Sequence, residues 1–260
     1  MSKRWMVPVV VVAAIVASGI LACGSNEPIT SLDQLEGKRF AVPRGTVADS
    51  LVLSRVKDAE FTYFGSALDC CLAVKDGKVD AAAYDEPILR NIAAKYDGLV
   101  ILSDMITVDD YGFAVAPGNQ GLKAAIDDTV KQLKDDGTYE QMVERWLPGK
   151  GAPGAMPAIP LDGSNGVLTL GTAPVTEPFS FIDGSQKVVG FDIELATYVA
   201  QKLGKSLQII SMDFGEMIPK VAAGEVDMVA ACITITEERS KAVLFSEPYY
   251  QGGIAALVRK

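Results

Sequence analysis

The sequence predicts an α/β fold of two similar lobes with a cleft between them. Three observations carry that prediction. Strand and helix signals alternate through both halves of the 260-residue chain, the pattern that layers helices on largely parallel strands. The halves share a local signature: Gly77-Lys78-Val79-Asp80 and Gly224-Glu225-Val226-Asp227 each follow a helical segment and lead into a strand. Between them Pro148–Gly166 is rich in proline and glycine and poor in large apolar residues, which reads as a linker. Open α/β sheets take ligands at the carboxyl ends of their strands, so two facing lobes would share one cleft.

In the first half Arg39–Val42 reads as a strand, Gly45-Thr46 as a turn and Asp49–Val56 as a helix. Glu60–Phe64 is a second strand, and Leu68–Lys75 a helix stopped by Gly77. Ala81–Tyr84 is a third strand. Pro87–Lys95 is a helix with proline near its start, where a missing N–H costs nothing. Val100–Leu102 is a short strand, and Tyr111–Ala116 an extended run ending at Pro117-Gly118. Leu122, Ile126, Val130 and Leu133 keep a helical period. After Gly137, Thr138 is expected to cap a second helix, with Gln141 completing a capping box. Tyr139, Met142, Val143 and Trp146 form its buried stripe. In the second half Val167–Leu170 is a strand, and Asp192 caps a helix that runs to Leu203 and stops at Gly204. Leu207–Ser211 is a strand, Glu216–Ala223 a helix, and Met228–Ala231 a strand.

Composition excludes several functions. A formal charge of −9 argues against a nucleic-acid partner, which needs a basic face. The chain has no histidine, so His-based nucleophile pairs, metal sites and general bases are absent. At the start, Lys3 and Arg4 precede the apolar Val7–Leu21, and Ile20-Leu21-Ala22-Cys23 follows. This reads as a lipoprotein signal peptide over 1–22, with lipid attached at Cys23 and a polar tether over 23–28. The apolar run is shorter than the roughly 20 residues a membrane span needs. Of the other cysteines, Cys70 and Cys71 read as buried small hydrophobes.

Four blocks of the second half carry more. They are Gly171–Phe181 (GTAPVTEPFSF), Val189–Ala196 (VGFDIELA), Asp213–Pro219 (DFGEMIP) and Ile233–Arg239 (ITITEER). Together they resemble the opening lobe of the family 3 extracellular solute-binding proteins, the amino-acid-capturing subunits of ABC importers. The earlier segment Ile29–Trp146 resembles that family's second lobe. The resemblance implies a periplasmic-binding-protein type II fold in circularly permuted order. Residues 29–116 would form one lobe, 117–148 would be helices packing on the other, 149–166 the permutation linker, and 167–260 the second lobe. Two crossing strands, Tyr111–Ala116 and Gly253–Arg259, would make the hinge, with Lys260 near Ile29. A longer fusion of lobes is the competing explanation of the order.

The resemblance also implies site residues. An α-amino acid offers a carboxylate and an ammonium, so a binder needs a cation, N–H donors and an acid. Arg239, in the first turn of a helix capped by Thr236, matches the arginine that clamps the α-carboxylate; on spacing alone it could be a surface residue pairing with Glu237 or Glu238. Asp85, in Asp85-Glu86-Pro87, matches the acid for the α-amino group; it could also be a helix cap, though a cap alone leaves Asp over Ser or Thr unexplained. Gly45, Thr46 and Val47 fall in the family's Gly-Ser/Thr turn, which supplies a hydroxyl and N–H donors. Thr234 matches a ligand-touching hydroxyl, and Ala231 and Cys232 match positions at the ammonium end; a core thiol remains open for Cys232. Phe214 matches one aromatic wall. Thr176 stands where the family carries the other, and Ala173 where binders of basic amino acids carry an aspartate. The ligand is therefore expected to be polar uncharged or small apolar rather than lysine or arginine.

The implied function is capture of a free L-amino acid by hinge closure and its delivery to ABC permease subunits. It is expected to be carried out by an exported, lipid-anchored monomer in the periplasm or on the outer face of the cytoplasmic membrane. No catalytic residue, metal or cofactor is implied. Two rivals remain: a dehydratase-type enzyme on the same fold using Glu177 or Glu216, and the sensing domain of a signalling protein.

Overall fold

The computed structural model describes residues 27–147 and 152–260. The signal segment 1–22, Cys23, most of the tether and the start of the linker lie outside the described residues. The first half runs through a 3-10 turn at Leu32–Leu35, then β1 (Arg39–Pro43), α1 (Ala48–Leu53), β2 (Glu60–Phe64), α2 (Ala67–Lys75), β3 (Ala81–Asp85) and α3 (Glu86–Lys95). It continues through β4 (Leu99–Met105), β5 (Asp109–Tyr111), β6 (Ala114–Val115), α4 (Gln120–Asp135) and α5 (Thr138–Trp146). The second half holds β7 (Val167–Thr172), β8 (Val175–Thr176), β9 (Ser180–Ile182), β10 (Val188–Val189), α6 (Phe191–Lys202), β11 (Ser206–Ser211) and a 3-10 turn at Phe214–Glu216. It closes with α7 (Met217–Ala222), β12 (Met228–Val229), α8 (Glu237–Ser240), β13 (Leu244–Phe245), β14 (Tyr250–Gly252) and β15 (Ile254–Arg259).

Two five-stranded sheets organise the chain, in the orders β2-β1-β3-β15-β4 and β11-β7-β12-β6-β13. In each, three neighbours run parallel, as the strand-helix alternation predicts. In each, the fourth strand is antiparallel and comes from the other half of the chain: β15 pairs β3 and β4, and β6 pairs β12 and β13. The fold is thus α/β with two lobes, and residues 254–259 of the second half lie in the first half's sheet. The extended run Tyr111–Ala116 is split where the chain passes between lobes. β5 pairs β14, whereas β6 enters the second sheet. Gly112 sits at the break, with Ile235 and Phe245 packed where a Cβ would be.

The repeated signature has one structural meaning in both lobes. Gly77 and Gly224 take φ of +75° and +73°, the left-handed conformation that ends a helix without a Cβ penalty. Val79 and Val226 are buried. Asp80 accepts the Arg39 N–H at 3.0 Å, and Asp227 accepts the Thr169 N–H at 2.7 Å, so each aspartate fastens the first strand of its own sheet.

Helix α4 buries the expected Leu122, Ile126, Val130 and Leu133. It packs with α5 on α6, through which 117–147 joins the second lobe. The attachment is chemical as well as apolar. Fully buried Glu194 accepts from Arg145 at 2.7 Å and from the Trp146 indole at 2.6 Å. Two expected caps differ. Gly137, at φ +80°, takes the cap position of α5 and Thr138 is its first residue, so the capping box does not form. Gly190 precedes α6, and Asp192 lies inside the first turn with its carboxylate turned to the Cys232 N–H at 2.8 Å. A backbone donor in the core outcompetes the helix end for that acid. Cys70 and Cys71 are both buried as free thiols.

Candidate functional site

A cleft of about 750 Å³ opens between the lobes. One wall is the turn after β1 with Ser66 and Tyr84; the other is Ala173–Thr176 with the segment Ser211–Glu216. Both walls are strand ends, where the backbone has left its sheet and side chains can meet across the gap. Gly45, Thr46, Phe214, Thr176 and Ala173 line the cleft. Asp85, Val47, Ala231, Cys232, Thr234 and Arg239 do not.

The turn is built for close approach. Gly45 has φ +78°, and a Cβ there would lie 2.9 Å from Gly215 Cα in the facing lobe. Thr46 Oγ1 donates to Pro43 O at 2.9 Å and accepts from the Ala48 N–H at 3.3 Å, which fixes the turn. Val47 caps α1 through its backbone, and its side chain stays outside the cleft. On the opposite wall Ala173 and buried Thr176 present little bulk; the Thr176 hydroxyl is spent on the carbonyls of Ala173 and Ser180.

Arg239 is half-buried and turned inward. Thr236 Oγ1 accepts the Arg239 N–H at 3.2 Å, the expected cap of the short helix α8. The guanidinium donates to Thr234 O at 2.9 Å and lies over the Phe214 ring at 5.6 Å. It pairs with neither glutamate beside it; Glu238 bonds Lys241 instead. Burial pulls its pKa down, and Tyr84, Asp85 and Cys232 offset part of that. Phe214 thus joins the cleft wall to the cation behind it.

Asp85 ends β3 and is buried. It occupies the cap position of α3 but makes no side-chain capping bond. It takes a hydrogen bond from the Tyr111 hydroxyl instead. Burial raises its pKa to about 7, against the lowering effect of that bond. Ala231 and Cys232 are buried in the lobe core. Cys232 has φ +47°, a strained conformation for a side chain with a Cβ, and burial drives its thiol pKa upward. Its N–H holds Asp192, whose own pKa burial raises to about 7. Asp192 Oδ1 and the Tyr249 hydroxyl are both buried and act on each other, without a hydrogen bond of normal geometry.

Sequence reasoning passed over Tyr84, Tyr111, Asp192 and Gly215 as site residues. Tyr84 and Tyr111 carried a usable signal, since one precedes Asp85 and the other sits in the expected crossing strand. Asp192 and Gly215 carried none, because their roles depend on contacts made across the fold.

Residues 168–260 match the model of the bacterial extracellular solute-binding proteins, family 3. A probable histidine-binding protein of Campylobacter jejuni subsp. jejuni is 39% identical over 89 residues, 34% of this chain and 34% of that one. The L-cystine-binding protein TcyJ of Escherichia coli K12 is 35% identical over 132 residues, 51% of this chain and 42% of that one. The arginine-bound form of a truncated ArgBP from T. maritima is 41% identical over 34% of this chain and 41% of that one, with a TM-score of 0.33. The chain spans about a third to a half of the length of the curated relatives it matches.

Proposed function

We propose that the chain captures a free L-amino acid between its lobes by hinge closure and delivers it to the permease of an ABC importer. One observation carries the reading. Arg239 and Asp85 come from different lobes, are withdrawn from bulk water, act on each other electrostatically, and have no ion-pair partner among the described residues. A zwitterionic head group supplies the missing partner for each: a carboxylate for the guanidinium and an ammonium for the aspartate. The family match over 168–260 supports the same class of ligand.

The proposed ligand is polar uncharged or small apolar. Ala173 offers no carboxylate and Thr176 no ring, so this end of the cleft has nothing to pair with a cationic side chain. The relatives' names, for histidine, arginine and cystine, favour the contrary choice. A basic ligand would have to use exposed Asp213 at the cleft wall or take Glu216 from its pair with Lys220. The dehydratase reading is less favoured. Glu177 is paired with Lys95 at 2.6 Å and exposed Glu216 with Lys220 at 2.9 Å, so neither is a free acid. We further propose the permuted lobe order, in support of which the end of β15 lies level with the start of β1, Val258 and Phe40 flanking Ala81 of β3 from either side. Lipid attachment at Cys23 and monomeric action complete the proposal.

The test is thermal unfolding with each of the twenty amino acids. A ligand at about 100 times its Kd adds roughly 2.7 kcal/mol, a midpoint shift of several degrees. A shift with neutral polar or small apolar amino acids is expected. A shift with lysine or arginine alone would overturn the ligand choice, and no shift with any would overturn the amino-acid reading.

A further inference from the structure

Tyr111 has no assigned role, yet it touches Asp85 directly and Thr234 through its main chain. It is fully buried. Its ring stacks on Tyr250 at 5.7 Å and meets Phe179 edge-on at 5.8 Å, which fixes where its hydroxyl points. That hydroxyl donates to Asp85 Oδ1 and accepts the Gly253 N–H at 3.2 Å. The main chain of Tyr111 pairs with Tyr250 and bridges to Thr234, whose carbonyl holds the Arg239 guanidinium. The surroundings are cut to fit. A Cβ on Gly252 would collide with the Tyr111 hydroxyl, and one on Gly253, at φ +145°, with the Thr107 carbonyl. Tyr111 therefore lies on one chain crossing, bonds the other through Gly253, and occupies one oxygen of Asp85, leaving the second oxygen for a cation.

We propose that Tyr111 is a positioning residue for ammonium recognition, holding the Asp85 carboxylate by its hydroxyl and tying it to both crossings, so that a ligand ammonium arriving at Asp85 is felt at the hinge. This inference rests on the amino-acid-binding reading. The groups acting on Asp85 are Tyr84 from its own strand, Tyr111 and Asp109 from β5, Cys232 from the loop after β12, and Arg239 from α8. Of these, Tyr111 is the one whose side chain bonds the carboxylate, and that bond opposes the effect of burial. An ammonium binds the ionised acid, so affinity should rise with pH until Asp85 is fully ionised. Deleting the hydroxyl should delay that point.

The full chain, its Tyr111→Phe variant and a form with fluorotyrosine at position 111 would each be titrated calorimetrically. The probes are the twenty proteinogenic L-amino acids and L-cystine, over a range of pH. Each form would also be unfolded by heat without ligand over that range. In Tyr111→Phe the midpoint of the affinity–pH curve should rise by about one unit, with affinity about tenfold weaker below it. The fluorotyrosine form, a stronger donor of the same shape, should move the midpoint down. It keeps the test decisive if the phenylalanine variant does not fold. Midpoints unchanged in both forms, whatever their melting temperatures, would reduce Tyr111 to packing and overturn the inference while leaving amino-acid binding intact. If no amino acid binds the wild-type chain, the binding reading falls and this role falls with it.

Discussion

The two sheets share a strand order, a helix-ending glycine, a buried valine and an aspartate that fastens the first strand, yet their strand ends differ. Five residues after Asp80 comes Asp85; five residues after Asp227 comes Cys232. In the first lobe β3 runs unbroken to that position and delivers a buried acid. In the second, β12 is two residues long, and the chain turns through a left-handed Cys232 toward Thr234 and Arg239. The frame is duplicated; the chemistry at the rim is not. The first lobe ends there in a buried acid, and the second leads to a half-buried cation behind Phe214, the pair on which the proposed zwitterion site rests.

The sharpest way to break this comparison is at the rims. Arg239→Ala and Asp85→Asn should each weaken amino-acid binding by about a hundredfold or more, at roughly 2–5 kcal/mol. Calorimetry checks this, and a change confined to one variant would mean the head group is held from one lobe only. The next test is on the frames. Asp80→Ala and Asp227→Ala each strip a backbone N–H of its acceptor and should cost about 1–3 kcal/mol in urea unfolding. Asp80 belongs at the low end, since its ion pair with Arg39 is solvent-screened. A neutral Asp227→Ala would dissolve the equivalence of the two signatures.

The pH dependence separates the lobes again. Asp85 and Asp192 have folded pKa values of about 7, above the ordinary 3.8. Between those values the folded chain holds protons that the unfolded chain has released. The stability they confer is full below about pH 4 and is lost as pH rises through about 7. Heat unfolding of the ligand-free chain across that range should show the decline, and Asp85→Asn should remove the share belonging to the first lobe. The smallest effect is expected at Lys95→Ala. Its ion pair with Glu177 spans the lobes but is solvent-exposed, so its loss should cost no more than about 1 kcal/mol, read from the ligand-bound melting midpoint.

Parallel strands and amphipathic helices were legible because each carries its periodicity locally. Glu60–Phe64 and the buried stripe of α4 are examples. The two crossings were legible only through the resemblance, since nothing in Tyr111–Ala116 or Gly253–Arg259 says which sheet it enters. Cap assignments failed at Thr138 and Asp192 for one reason. A neighbouring glycine could take the terminal conformation, and in the second case a core N–H outbid the helix for the carboxylate. Asp85 was found as a candidate, but its partner was not, because Tyr111 reaches it only once both crossings are in place. The close approach of Gly45 to Gly215 was equally invisible, since neither glycine has a side chain to give a pattern.

The exchange of β6 and β15 also bears on how the chain is made. β15 lies inside the first sheet, between β3 and β4, although it follows β4 by about 150 residues. The first lobe cannot close its hydrogen-bond ladder while Ile254–Arg259 is still being synthesised. Pairing over such separations is slow. A polypeptide arranged in this way stays incompletely folded during its own elongation.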